Sequence, residues 1–220
     1  MSARKEESAH PVRDMLTESA YRLITQEGVE ALTVRRLAKE ADTSTMAVYS
    51  RFGSVGAVAG EVCERGFVEF ADTLRAAGTS SDPVADVLAQ GLSYLRFATE
   101  NPRLYTLMFQ YTSPDWTASK RTSLLQHGNP TESVAGRAAF RVMVDALRRV
   151  TPTDAEDAIL IRAGATWSMV HGLAMLSIAG HLTGVHDLVA RSALIALAVG
   201  YGTPAPEAER AFDAAADRQP

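Results

Sequence analysis

Cysteine occurs once, at Cys63. A single thiol makes no internal bridge, so a disulfide framework is excluded. Its place in a helical apolar stripe reads as a small buried hydrophobe rather than a nucleophile, and such usage suits a reducing cytoplasm. Metal chemistry has as little to work with, because His10, His127, His171, His181 and His186 form neither H-E-x-x-H nor Glu-x-x-His pairs. P-loop and dinucleotide-type glycine patterns are missing, and Cys63 lacks an adjacent base. Catalysis, a cofactor and a metal therefore have no positive support. The first twenty residues mix acids with bases and lack the unbroken apolar stretch of an export signal. Strand-like alternation and internal repeats are absent too.

Positive charge is also short, with a net charge of −4, which argues against a chain that coats nucleic acid along its length. The average hides an asymmetry. Residues 1–52 balance eight basic against eight acidic side chains, so the whole deficit lies beyond them, and any nucleic-acid surface is expected to be local and N-terminal. What the chain does have is apolar content, 46% of 220 residues, enough for a core without staples. Residues 163–180 run without a formal charge for about the minimum membrane-spanning length. Thr166, Trp167, Ser168, His171 and Ser177 make the run too polar for a lone span, and a doubly buried helix has the same appearance, so no membrane is expected.

Apolar residues recur at helical spacing, and the fold is expected to be all-α with about nine helices. The first, 12–27, puts Leu16, Ala20, Leu23 and Ile24 on one face and ends at Gly28, with Val29 and Leu32 turning the chain back. Thr33 caps a second helix with Val34, Leu37, Ala38 and Ala41 inward and Arg35, Arg36 and Lys39 outward. Asp42 suits a left-handed turn, and Thr43 or Ser44 caps a third helix, 45–51. Gly53-Ser54 breaks it and caps a fourth, 55–77, whose Gly56, Gly60 and Gly66 each cost up to about 1 kcal/mol relative to alanine. Further helices are expected at 83–99, 102–112, 131–150, 154–182 and 185–201. The loop 113–130 is read as partly mobile and the polar tail 202–220 as frayed. The domains read as 1–53, 54–201 and the tail.

Residues 33–52 give a capped short helix, a tight turn and a second short helix, the helix-turn-helix arrangement. Four bases (Arg35, Arg36, Lys39, Arg51) outnumber two acids (Glu40, Asp42) in this stretch. Two short helices joined by a turn also occur in proteins that never touch DNA. From Met15 to Leu74, however, Ala20, Gly28, Thr33, Val34, Leu37, Ala38, Ala41, Ser44, Val48, Tyr49 and Phe52 fall where the TetR family pattern places them, and the sequence resembles the N-terminal domain of that family. The resemblance implies a three-helix DNA-binding unit in which Thr45 and Met46 face bases while Thr33, Ser44 and Tyr49 contact the backbone. Three positions depart from the pattern: Asp42 replaces the usual glycine, Arg51 a histidine or tyrosine, and Val55 a phosphate-contacting lysine. Loss of that lysine removes about one counterion-releasing contact per subunit, which Arg51 is placed to restore.

Trp167, His171 and Gly172 form the W-x-x-x-H-G signature of one C-terminal subgroup of the family, and residues 101–105 fit the same subgroup. His171 reads equally as a pocket hydrogen-bonding group or as a satisfied core histidine beside a packing tryptophan. Gly164, Ser168 and Gly172 make one smooth helix face, which with apolar Leu188, Ala193, Leu194, Ile195, Leu197 and Ala198 implies a four-helix interface of a homodimer, as in the family. Intrachain packing is the alternative. Tyr94, Phe97, Tyr105, Met108, Phe109, Tyr111, Trp116, Phe140, Met143 and Met175 gather mid-chain, mostly as core. With Trp167 and His171, the residues Phe97, Tyr105, Met108, Phe109, Phe140, Met143 and Met175 are the expected lining for a small apolar effector, since the family senses small molecules there. The expectation is a DNA-binding regulator, a repressor by family habit, acting on near-palindromic operator DNA. A helical dimeric adaptor, or a small-molecule-binding protein without specific DNA binding, is the alternative.

Overall fold

A computed structural model describes residues 9–110, 123–131 and 133–219. Side-chain caps and left-handed residues set the helix limits near the N-terminus. Helix α1 (Ala9–Glu27) ends as Gly28 takes φ 97° and its N–H donates to the Ile24 carbonyl at 2.9 Å. A 3-10 turn, Val29–Ala31, leads to Thr33, whose Oγ1 accepts the Arg36 N–H at 3.2 Å and opens α2 (Val34–Glu40). Asp42 is the non-glycine residue with positive φ, 45°, among the described residues. The turn it makes delivers Ser44, whose Oγ accepts the Ala47 N–H at 3.1 Å and opens α3 (Thr45–Phe52). Gly53 closes α3, and Ser54 caps α4 (Val55–Ala76) through the Ala57 N–H. The helices that follow are α5 (Pro83–Glu100), α6 (Pro102–Gln110), α7 (Leu124–His127), α8 (Val134–Val150), α9 (Glu156–Ile178), α10 (His186–Gly200) and α11 (Ala205–Ala216).

The described residues fall into two compact units. The first lies within 1–67, 101–121 and 131–133. Its core joins Leu16, Ala20 and Ile24 of α1, Leu37 of α2 and Val48 of α3 to Val58, Val62 and Cys63 of α4, all wholly buried. Full burial of each larger aliphatic side chain contributes about 1.5–3 kcal/mol. Burial, with a smaller effect from the Glu64 charge, pushes the Cys63 thiol well above its ordinary pKa, so it stays a protonated hydrophobe. Helix α6 closes against α4 at Gly66, where an added methyl would lie 2.9 Å from Met108 Sδ. The Phe67 and Phe109 rings meet edge to face at 5.3 Å.

The second unit lies within 68–100, 122–130 and 134–220, with α5 packed on α8, α9, α10 and α11. Gly91 lets α10 approach so closely that a methyl there would sit 2.7 Å from Leu194 Cδ2. Val87, Phe140, Val144, Leu147, Ile159, Leu160 and Ala163 form one apolar cluster, with Met143 and Trp167 against it. Among the described residues, α9 is the helix long and apolar enough to cross a membrane by length and composition.

Eleven α-helices occur among the described residues rather than about nine. The short α7 lies inside the expected loop 113–130, of which 113–122, with Trp116, lie outside the described residues; so does Tyr111. The tail is the larger correction. It forms α11, not a frayed end, because Pro204 and Pro206 stand at the cap and first turn, where proline starts a helix instead of breaking one. Ala208, Ala211, Phe212 and Ala215 then repeat at helical spacing and are buried. The unit boundary also differs from the expected residue 53: α4 belongs to the first unit as far as Phe67, and α6 joins it there.

Candidate nucleic-acid interface and effector region

On α3, Val48 is wholly buried, and this anchor turns the opposite side of the helix to solvent. Met46 is 74% exposed and Tyr49 54%, with Ser44 and Thr45 exposed beside them. Two large apolar side chains are thus held outward on a capped, core-locked helix, where they take little part in this unit's packing. Thr33 is exposed as well, its hydroxyl already accepting the Arg36 N–H. Arg35 points outward without a partner among the described residues. Arg36, expected beside it as a phosphate grip, ion-pairs with Glu27, so part of its charge is engaged. Arg51 is half-buried at the end of α3, its Nε unpartnered.

Arg13 escaped the reading of the sequence. Its Nη1 donates to the Arg51 carbonyl at 3.0 Å, its guanidinium lies 4.3 Å from the Phe52 ring centroid, and it ion-pairs with Glu61 on α4. Those partners are 38 to 48 residues away along the chain, so no local spacing signals them.

In the second unit, the Tyr94 hydroxyl and His171 Nδ1 are 3.3 Å apart. The Trp167 ring lies 6.0 Å from that of His171 and 6.3 Å from that of Phe140, giving a continuous polar-aromatic run. Burial lowers the His171 pKa, favouring the neutral imidazole. Phe97 is buried against Phe70 at 5.0 Å, while Met143 and Met175 are partly buried. Tyr105, Met108 and Phe109 belong instead to the first unit, so the nine expected effector residues do not share one unit. Within the second unit, the apolar crevice lined by Val87, Leu147, Leu197 and Tyr201 has a volume of about 10 Å³, room for no more than a water.

The expected dimer residues also divide. Ser168 is exposed and a methyl added at Gly172 would have no neighbour within 4 Å, whereas Gly164 faces Leu124. Leu194 is wholly buried within its own chain against Gly91 and is not free for a second subunit, whereas Leu197 lines the crevice and is half-buried. The outward faces carry Ile161 and Leu176 on α9 and Leu188 and Val199 on α10. The spacing of apolar residues along α10 did not reveal which of its sides met α5.

Residues 16–61 match the family described as bacterial regulatory proteins, tetR family, and residues 87–199 match the tetracyclin repressor-like C-terminal domain. The chain belongs to the TetR family. It is thus a transcriptional regulator with a helix-turn-helix DNA-binding domain. No curated protein matches it as a relative. Among solved structures it is similar in fold to a Rhodococcus sp. RHA1 protein of unknown function, at 23% identity and TM-score 0.67, covering 86% of this chain and 94% of that one. RolR in complex with resorcinol is similar at 16% identity and TM-score 0.62, covering 94% and 95%. PfmR, a TetR family transcriptional regulator from Thermus thermophilus, is similar at 19% identity and TM-score 0.53, covering 80% and 97%.

Proposed function

We propose that this TetR-family regulator is a cytoplasmic repressor, acting as a homodimer on a near-palindromic operator that it releases when a small, largely apolar molecule binds its C-terminal helices. The outward display of Met46 and Tyr49 on a helix anchored by Val48 carries the DNA-reading part. Thr45 and Met46 are assigned to base edges, and Thr33, Ser44, Tyr49 and Arg35 to phosphates, with Arg36 and Arg51 adding charge. Exposed apolar faces on α9 and α10 support the dimer, through Ile161, Ser168, Gly172 and Leu188. His171, paired with Tyr94 and beside Trp167, which in turn meets Phe140, supports an aromatic effector carrying a hydroxyl. RolR, of similar fold, was solved with resorcinol, so small phenols are the first compounds to try.

The test starts from duplexes that the wild-type protein recovers from a randomised pool. Tyr49→Ala should weaken every recovered duplex alike, whereas replacing Met46 should change the preferred bases. Equal binding to all duplexes without salt dependence overturns the reading. For the effector arm, phenols that raise the thermal midpoint should lower DNA affinity about 5- to 150-fold, and DNA should lower phenol affinity by the same factor. Bound phenols that leave DNA affinity unchanged sink the sensor while sparing the DNA-binding claim.

A further inference from the structure

We infer that Arg13 is a positioning residue for DNA recognition, acting by clamping the end of the recognition helix to α4. The inference rests on the DNA-binding reading of α3 but goes beyond it, since Arg13 lies outside the helix-turn-helix.

One guanidinium makes three contacts in three directions within the first unit. Nη1 donates to the carbonyl of Arg51, in the last turn of α3. That turn presents carbonyls left over by the helix ladder, and a cation there meets the negative end of the helix dipole. The plane of the guanidinium covers the ring of Phe52, the last residue of α3, at 4.3 Å. Nη2 pairs with Glu61, two turns into α4. Lysine has neither the planar face nor the second pair of N–H donors needed to hold these partners at once.

The stability from such a site is small, since Arg13 is 39% and Glu61 44% exposed and exposed pairs are worth little. Its consequence is angular. Val48 fixes α3 near its middle, and Arg13 fixes its C-terminal end. The direction in which Thr45, Met46 and Tyr49 face the groove then depends on α4 through Glu61. A second tie, Arg65 of α4 to Glu18 at 2.6 Å with its guanidinium 3.8 Å from the Tyr21 ring, holds α4 to α1 one turn further on. The pivot therefore has a defined base.

The sign of the Glu61 effect separates this role from simple electrostatics. If Glu61 were only an acid near DNA, Glu61→Ala would raise affinity by removing a negative charge. If it aims Arg13, the same change lowers affinity. The experiment uses the full chain and the duplex best recovered from the randomised pool by the wild type. Arg13→Ala should reduce affinity about tenfold, the loss expected for one charge-assisted contact, with the slope of log K against log salt unchanged. Glu61→Ala, which keeps helix propensity high, should also weaken binding, and the double variant should be no weaker than Arg13→Ala alone. Arg13→Lys should rescue only part. Thermal midpoints of all variants should stay close to the wild type. Higher affinity in Glu61→Ala, losses that add in the double variant, or a salt slope shallower by about one contact in Arg13→Ala overturns the inference, the last by making Arg13 a phosphate ligand. Wild-type protein that recovers no preferred duplex instead overturns the DNA-binding reading, and the inference with it.

Discussion

At the scale of single residues, the link between α2 and α3 depends on Asp42. Its φ of 45° is a conformation that costs most residues about 1–2 kcal/mol, less for aspartate, whose short polar side chain satisfies itself locally. Asp42→Val should lose about 1–2 kcal/mol in chemical denaturation. Asp42→Gly should leave stability within about 1 kcal/mol, because relief of strain is offset by the freer unfolded chain. It should raise DNA affinity, since a carboxylate leaves the turn that introduces the recognition helix. Unchanged affinity in a salt titration would show that residue 42 lies too far from the phosphates to matter.

At the scale of elements, the second unit is tied together by a carboxylate. Asp86 of α5, 1% exposed, accepts the Ser80 N–H at 3.0 Å and hydroxyl at 2.8 Å, pairs with Arg149 at the end of α8, and meets Arg218 just beyond α11 at 2.8 Å. Burial alone would raise its pKa; the Ser80 N–H, the Arg218 and Arg149 guanidinia and the Ser80 hydroxyl outweigh it and bring it to about 2, from 3.8. A depressed folded pKa means stability that is present above the unfolded value and lost as pH falls toward the folded one. The network should therefore contribute about 2 kcal/mol at neutral pH, lost between about pH 4 and 2. Asp86→Asn should flatten that acid limb and cost about 2 kcal/mol at neutral pH, the share that ionisation of Asp86 supplies. An acid limb as steep as the wild type's would refute the assignment. The C-terminal helix is docked by this network and by Arg191 to Asp213 at 2.7 Å.

At the scale of the whole molecule, two-fold symmetry is the requirement that the proposed operator imposes. Gly172 offers a clean probe, because a Cβ added there has no neighbour within 4 Å among the described residues. Gly172→Arg should keep the thermal midpoint of the isolated subunit, improve helix propensity, and shift the light-scattering mass from two chains to one at micromolar concentration. Binding to palindromic duplexes should fall with it while half-site binding persists. A Gly172→Arg protein that remains dimeric places the interface elsewhere.

The sequence by itself determined what depends on neighbours a few residues apart: most of the helices, though not α7 or α11, the cap at Thr33, the left-handed turn at Asp42 and the buried Cys63. These follow from helical periodicity and local hydrogen bonding, which operate over one or two turns. Tertiary structure alone decided which side of each apolar helix meets its own chain. Periodicity marked α10 as apolar nearly all round, so only packing against Gly91 could assign Leu194 to the core and leave Leu188 outside. The same holds for charges with distant partners. Arg13, Asp86 and Arg218 drew no attention in the sequence, because their partners stand 38 to 132 residues away and ion pairing is decided by distance in space and desolvation, neither of which is encoded by spacing along the chain.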